Sequence, residues 1–206
     1  MAWRRGGARE RRGTPAELLL VGLANPGEQY ARTRHNIGGD AVEVLAGRHG
    51  ATLKVEPRQR ARLAELTIAG HRVALAVPTT FMNESGAALP GLLERTGVHA
   101  PGGIVVIHDE LDLEPGRLQL KVGGGLAGHN GLKSIAATLS TKDFLRLRIG
   151  IGRPPSREAG AKWVLSRPGK TDADVLAIAA EESADALELL VERGVEQAMN
   201  SINARG

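Results

Sequence analysis

The chain has 206 residues, a length typical of one well-buried domain, and carries 27 Lys and Arg against 23 Asp and Glu. It has no cysteine, which excludes disulfides, thiolate nucleophiles and cysteine-based zinc sites and gives no sign of an oxidising compartment. Its longest apolar runs, LLLVGLA and VALAV, are far shorter than the roughly 20 residues that span a bilayer. We therefore expect a soluble, cytoplasmic protein without a membrane partner.

The excess of positive charge lies at the N-terminus. Residues 1–12 hold five Arg and one Glu, whereas the remaining residues hold 22 basic and 22 acidic side chains. The Arg/Gly-rich residues 1–16 offer almost nothing apolar to bury, which predicts a disordered basic extension. We expect residues 17–206 to form a single domain whose acidic C-terminal region stays away from any polyanion.

Strand and helix patterns alternate along this domain. Continuous apolar runs predict strands buried on both faces, and the helical stretches are bounded by Pro, Gly or capping residues. In chain order we predict a strand at 17–23, a helix at 37–48, a hairpin at 61–78 that turns at Ala69-Gly70, a helix at 84–97 that Pro90 kinks or delays, strands at 103–111 and 117–122, a helix at 129–140, a strand at 144–152 that pairs with 117–122, and a helix at 172–194 that a Thr171–Asp174 capping box opens and Gly194 ends.

These elements predict an α/β fold, a single three-layer domain with a central mixed, mostly parallel, twisted sheet flanked by helices. One stretch, residues 153–170, interrupts the alternation because it is rich in Pro, Ser and charged residues. Its one short apolar segment is Trp163 to Leu165. Long loops of this kind are often lids or binding loops. We expect this lid segment to cover a cleft, and a simply packed loop is the alternative.

A glycine-rich motif follows the strand at 117–122. Gly123-x-Gly125-x-x-Gly128 matches the sequence pattern of a dinucleotide-binding fingerprint. However, no acidic residue stands at the end of the next strand, where one would be needed to bind the ribose. The last glycine is not followed by the lysine of a phosphate loop. We therefore expect no nucleotide cofactor, and a dinucleotide-dependent oxidoreductase is only a remote alternative.

Polar side chains follow three of the buried strands. Asn25 and His35 come after the first strand, Asn83 after the hairpin, and Asp109 where the strand at 103–111 ends. Because such strand ends meet at one edge of an open α/β sheet, these side chains could converge. A His with an Asp behind it can draw a proton from water. Each taken alone has a structural alternative, a packed histidine for His35 and a turn cap for Asp109.

Two other chemistries find little support. No HExxH or comparable ligand spacing is present, so we expect no metal site. No Ser lies in a G-x-S-x-G elbow, which leaves water as the expected nucleophile.

Five separated motifs resemble those of one family in order and spacing. VGLANPGEQYARTRHN, PTTFMNESG, HDELDLEPG, GGGLAGHNGLKS and FLRLRIGIGRP are similar to the bacterial-type peptidyl-tRNA hydrolases, and the resemblance runs from about Leu18 to Gly194. It implies an enzyme that hydrolyses the ester between a peptide and the 3′ ribose of tRNA. The implied partner is peptidyl-tRNA, contacted at its acceptor end and its peptide. No cofactor is implied, and we expect a monomer.

The resemblance also implies roles for individual positions. His35 resembles the general base, Asp109 the carboxylate that keeps it basic, and Asn25 the residue that separates peptidyl from free aminoacyl substrates. The remaining implied positions are Tyr30, Phe81, Met82, Asn83 and Asn130 for the peptide or 3′ end, His129 as an auxiliary residue on the glycine-rich loop, and Lys121 with Arg148 for a tRNA phosphate.

The chain departs from the family pattern at three positions. Leu126 and Ala127 replace residues that are often His or Gly, which could alter the mobility of the glycine-rich loop. Gln119 stands where some members carry a second lysine, which could weaken the phosphate contact. The main alternative is a non-catalytic RNA-binding relative of the same fold, although such a protein would have no need of a water-activating His and Asp.

Overall fold

The computed structural model describes residues 14–156 and 158–204, so residues 1–13 of the predicted basic extension lie outside it. Within the described residues, seven strands form one sheet in the order β2-β3-β4-β1-β5-β7-β6. The strands are β1 Leu18–Gly22, β2 Lys54–Glu56, β3 Ala61–Ile68, β4 His71–Pro78, β5 Ile104–Glu110, β6 Leu118–Val122 and β7 Leu145–Gly150. The α-helices are α1 Ile37–Arg48, α2 Leu89–Thr96, α3 Asn130–Leu139, α4 Gly160–Val164 and α5 Lys170–Asn203.

The sheet is mixed, as predicted, with parallel pairing at its centre and antiparallel pairing at its edges. β4, β1, β5 and β7 pair in parallel, whereas β2 with β3, β3 with β4, and β6 with β7 pair antiparallel. Parallel pairs therefore make up half of the sheet rather than most of it. The reason is that tight connections in the β2–β4 region permit only antiparallel neighbours, and that β6 runs against β7 at the other edge.

Helices cover both faces of the sheet, which confirms the three layers. On one face α1 and α5 pack against side chains such as Leu20, Ile107 and Leu147. On the other, α2 and α3 pack against Leu19 and Val21 and their neighbours. Successive residues of β1 are buried on opposite faces, which is why its sequence is continuously apolar. Among the described helices, none is both long and apolar enough to cross a membrane.

Local sequence signals place several boundaries correctly. The helix predicted at 37–48 is α1, and the hairpin turns where Ala69 and Gly70 both have positive φ, at 50° and 87°. Positive φ at both central residues is the mark of a type I′ turn, whose twist matches that of the strands. Pro90 stands in the first turn of α2, after a 3₁₀ stretch at Met82–Ala88, and so delays the α-helix rather than kinking it.

The last helix differs from its prediction at its start. α5 begins after Gly169, without a side-chain cap, so the predicted Thr171–Asp174 box does not form one. Gly194, with φ 78° and ψ 175°, breaks the helix where the sequence predicts its end, and a second helical stretch follows to Asn203. The chain continues because the final turns bury Ala198 and Ile202, and because the Asn203 carboxamide hydrogen-bonds the backbone N–H and C=O of Leu120.

Two glycines bring α1 into direct contact with the central strands. A Cβ atom on Gly38 would lie 2.1 Å from the carbonyl oxygen of Ile107 in β5, and one on Gly22 would lie 2.4 Å from the carbonyl oxygen of Gly38. No larger residue fits at either position without moving backbone. This close packing fixes the turn that precedes α1, which carries His35, against the carboxyl ends of β1 and β5.

Candidate active site

His35 and Asp109 meet at the carboxyl edge of the sheet. His35 lies in a 3₁₀ turn, Arg34–Asn36, and Asp109 near the end of β5. The His35 Nδ1 atom is 2.8 Å from Asp109 Oδ1, and the residues are only 9% and 3% exposed. A carboxylate accepts hydrogen bonds, so His35 carries its proton on Nδ1 and leaves Nε2 free to accept one. The sequence-predicted pair thus has the arrangement of a general base.

The same carboxylate oxygen accepts a second hydrogen bond from His129. The His129 Nε2 atom is 3.0 Å from Asp109 Oδ1, and its Nδ1 accepts the N–H of Leu132 at the start of α3. Burial, the largest influence on Asp109, would raise its pKa, but the charges and hydrogen bonds of His129 and His35 together lower the pKa below its ordinary value. Asp109 is therefore ionised across the physiological range.

His108, next to this network, is a packing residue. It is 1% exposed, its Nδ1 donates to the carbonyl of Asp109 at 2.7 Å, and its ring meets the His129 ring edge-on. Burial, and next the proximity of His129, lower its pKa to about 3. His108 is consequently neutral at pH 7, and its single ring proton is held by the carbonyl of Asp109.

Asn25 is fixed by its neighbours on two sides. Its side-chain oxygen accepts the N–H of Met82 at 2.8 Å. The Asn36 carboxamide makes reciprocal hydrogen bonds with the backbone of Asn25, at 2.8 Å to the N–H and 3.0 Å to the C=O. The Asn25 amide nitrogen is therefore the end that is left to meet a ligand. Sequence interpretation assigned no role to Asn36, and its one sequence signal is that it directly follows His35.

Two adjoining cavities open at His35. One, of about 270 Å³, adjoins Asp109, His129 and the glycine-rich loop. The other, of about 350 Å³, is lined by Asn25, Tyr30, His35, Phe81, Met82, Asn83 and Asn130. His35 and Asn130 line both, and so do Ala161 and Val164 of α4. All the predicted peptide-binding and 3′-end residues thus border a single cleft, which α4 of the predicted lid segment also lines.

One wall of the cavity that Asn25 lines carries two aromatic rings. Tyr30 and Phe81 pack edge to face with ring centroids 6.4 Å apart, and Phe81 remains 51% exposed. An exposed aromatic ring beside carboxamide groups is suited to an extended peptide whose backbone is bound and whose side chains vary.

The predicted phosphate-binding residues lie on the β6–β7 edge, outside the two cavities. Lys121 is opposite Arg146 and Gln119 opposite Arg148 in the antiparallel register, so the four side chains share a face. Lys121 is exposed, whereas Arg148 already pairs with Glu110, with Nη2 2.9 Å from Oε2, and also contacts Gln119. Lys121 is the freer cation of the two.

Arg146 was not singled out by sequence interpretation. It is 2% exposed and donates to the carbonyls of Gly124 and Gly125, both at 2.7 Å. Those carbonyls point towards a cation, which is the opposite of a phosphate cradle built from backbone N–H groups. The glycine-rich loop therefore does not have the geometry of a nucleotide-binding loop.

Among the described residues, one group is close enough to hold a metal ion. Ligand atoms of His35, Asp109 and His129 lie within 4.8 Å of one another. Two of their contacts, at 2.8 and 3.0 Å, are hydrogen bonds between the same atoms that a metal would need. The arrangement suits proton transfer, and the expectation of no metal stays a prediction.

Comparison with known proteins shows the family. The family model for peptidyl-tRNA hydrolase matches residues 19–206. The chain belongs to the peptidyl-tRNA hydrolase family. A peptidyl-tRNA hydrolase of Mycolicibacterium gilvum is 49% identical over 187 residues, which cover 91% of this chain and 97% of that protein. The hydrolase of Mycobacterium tuberculosis is 50% identical over the same proportions.

Solved structures of this hydrolase family have the same fold. The crystal structure of peptidyl-tRNA hydrolase from Acinetobacter baumannii superposes with a TM-score of 0.86 and 42% sequence identity, covering 93% of this chain and 98% of that one. The predicted family and the predicted enzyme class are thereby confirmed. Membership gives no support to a dinucleotide-dependent oxidoreductase.

Proposed function

We propose that this protein hydrolyses the ester bond of peptidyl-tRNA, releasing the peptide and recycling the tRNA, with His35 as the general base. The observation that carries the proposal is the His35–Asp109 hydrogen bond, 2.8 Å long, at the point where two cavities join. Membership of the hydrolase family supports it. An ester is more reactive than an amide, so a positioned water and a base are enough to cleave it.

The steps follow from the free Nε2 atom of His35. Nε2 takes a proton from water as its oxygen attacks the ester carbonyl, and Asp109 stabilises the imidazolium that forms. The tetrahedral intermediate carries its negative charge on the former carbonyl oxygen, which needs amide N–H donors. Collapse breaks the bond to the ribose, and the same Nε2 returns the proton to the departing 3′ oxygen. His35 ends as it began.

Asn25, Asn83 and Asn130 supply the amide groups around the proposed ester position. Each lines the larger cavity, with Tyr30, Phe81 and Met82 beside them. A peptide's neutral amide can exchange hydrogen bonds with these side chains. A free α-ammonium would lose its hydration with no carboxylate to receive it, which costs several kcal/mol. Discrimination against free aminoacyl-tRNA follows from this difference, with His129 as an auxiliary member of the Asp109 network.

The tRNA is held through phosphate at the β6–β7 edge by Lys121 and Arg148. Phosphate contacts position a nucleic acid without reading its sequence, so we propose that many tRNAs are substrates. Because Arg148 is paired with Glu110, it can bind phosphate only through guanidinium N–H groups that Glu110 does not occupy, or by giving up that ion pair. Lys121 carries the larger share of the electrostatic attraction, and Gln119 adds no charge.

The lid segment, residues 153–170, closes the cleft through α4. Ala161 and Val164 line both cavities, so α4 covers the point where the cavities join, which is the proposed position of the ester. We place the protein in the cytoplasm as a monomer, with residues 17–206 as the catalytic domain and residues 1–16 as a basic extension.

One assay tests the function against its alternative. N-acetyl-aminoacyl-tRNA and unblocked aminoacyl-tRNA are each incubated with the wild type and with His35→Ala. Release from the blocked substrate alone, lost in the variant, is the expected result. Binding of the blocked substrate by the wild type without any release would mean a non-catalytic RNA-binding relative.

A further inference from the structure

Arg34 is a buried cation whose contacts are nearly all with the lid segment. Only 4% exposed, it donates from Nη1 to Ser166 Oγ at 2.9 Å and from Nη2 to Asp172 Oδ2 at 2.8 Å. Its guanidinium carbon lies 3.9 Å from the centroid of the Trp163 ring, stacked on its face. Its backbone N–H donates to the carbonyl of Ser166 at 3.2 Å.

The turn that carries Arg34 also carries the proposed base. Arg34 and His35 are consecutive residues of one 3₁₀ turn, and both are buried. Arg34 faces the lid segment and the first turn of α5, whereas His35 faces Asp109 and the two cavities. A single rigid turn therefore joins the position of the lid to the position of His35.

Apart from Arg34, the lid segment is held by the half-buried Trp163 and Val164, which pack against the core, and by a few polar contacts. None of the five residues of α4 is buried. Trp163 donates from Nε1 to the carbonyl of Gly152 at 3.1 Å, and the exposed Arg167 donates to the carbonyls of Glu28 and Ala31. A segment with few buried apolar contacts opens at low free energy unless polar contacts restrain it. Arg34 provides the most buried of those restraints.

We propose that Arg34 is a positioning residue that latches α4 over the cleft, so that peptide is bound beneath a held lid. Three features of its guanidinium serve this role: the planar face stacks on Trp163, one edge binds Ser166, and the charge pairs with Asp172. Lysine keeps the charge but cannot reproduce the fork and the stacked plane together. The consequence for catalysis rests on the proposed function, whereas the consequence for the lid does not.

The lid is measured directly in a Trp3→Phe background, where Trp163 is the only tryptophan. Acrylamide quenching of Trp163 and amide hydrogen exchange of residues 160–166 are followed in Arg34→Met and Arg34→Lys. In Arg34→Met we expect exchange about tenfold faster, equivalent to one charge-assisted hydrogen bond, and stronger quenching. Arg34→Lys should fall between Arg34→Met and the wild type.

Arg48→Met is the matched control. Arg48 also bridges to α5, through Glu181 and Asp185, but it makes no hydrogen bond or ion pair with the described residues of the lid segment. Its loss should leave exchange at 160–166 unchanged. Should Arg34→Met fail to fold, Asp172→Asn decides, because it removes the ion pair and leaves the Trp163 stack in place, and we expect exchange several-fold faster.

Activity separates a latch from a direct effect on His35. In the Arg34 variants we expect KM for N-acetyl-aminoacyl-tRNA to rise about tenfold, kcat to change by less than about threefold, and the pH–rate profile to stay in place. Unchanged exchange at 160–166, or a lower kcat with a shifted pH profile, would overturn the proposal. A wild type that releases nothing from blocked substrate would refute the function instead, and the exchange measurement would still judge the latch.

Discussion

The Nδ1 atom of His35 lies 2.8 Å from the Oδ1 atom of Asp109, and both side chains are almost fully removed from water. The same Oδ1 atom accepts hydrogen bonds from two imidazoles, since His129 also donates to it at 3.0 Å. One ionised carboxylate therefore sets the orientation and tautomer of the proposed base, and holds the glycine-rich loop through His129.

Asp109→Asn should lower kcat for N-acetyl-aminoacyl-tRNA by about 10³–10⁴-fold, because an amide can donate to His35 and favour the wrong tautomer. The shape of the site is kept, so KM should change little. Asp112→Asn, three residues on and exposed, is the control and should behave as wild type. A loss smaller than about tenfold in Asp109→Asn would remove Asp109 from the mechanism.

Asn25→Asp should both slow the reaction and weaken its selectivity. The carboxylate still accepts the N–H of Met82 but has no amide hydrogen to offer the substrate, and we expect kcat to fall about 100-fold. A carboxylate at this position can also pair with a free α-ammonium. The ratio of rates on blocked and unblocked aminoacyl-tRNA should therefore fall. Asn200→Asp makes the same change on the exposed face of α5 and is the control. An unchanged ratio would assign selectivity elsewhere.

Lys121→Ala should raise KM and make it less sensitive to salt, with kcat unaltered. Each phosphate contact contributes about 0.7–0.9 to the slope of log affinity against log salt, so the slope should decrease by about that amount. Lys54→Ala removes an exposed lysine from β2, at the opposite edge of the sheet, and should change neither quantity. Equal salt slopes in wild type and Lys121→Ala would take Lys121 out of the tRNA site.

Asp40→Asn should stabilise the protein at pH 7 and not at pH 4. Burial, and next the charge of Glu43, raise the pKa of Asp40 to about 6. Because the folded-state pKa exceeds the unfolded value near 3.9, the folded protein holds a proton that the unfolded chain loses, and stability falls as pH rises from about 4 to 6. Removing the charge should recover about 1–2 kcal/mol above that window.

Urea unfolding of wild type and Asp40→Asn at pH 4 and pH 7 measures this difference. Asp185→Asn changes an exposed carboxylate of α5 and serves as control. An Asp40→Asn variant that is equally stabilised at both pH values would show that its effect is not the removal of a buried charge.

Most of the fold, and the set of residues proposed for the site, could be predicted from the sequence. Local sequence predicts three of these features: the apolar run of β1, the Ala69-Gly70 turn and the bounds of α1. The spacing of apolar side chains and the residues preferred in turns are enough for each. The order of strands and helices then placed His35, Asn25 and Asp109 at the carboxyl edge of the sheet. A family resemblance carried by five motifs completed the set of residues around the cleft.

The contacts that connect those residues could not be predicted from local sequence. The bond of His129 to Asp109, the clamp of Asn36 on Asn25 and the contacts of Arg34 with Ser166 and Asp172 each join residues that no local pattern relates. The second helical stretch after the break at Gly194 is of the same kind, since burial of Ala198 and Ile202 holds it against the domain. Propensity acts over a few residues, whereas burial and charge pairing depend on which distant segments meet, and folding alone settles that.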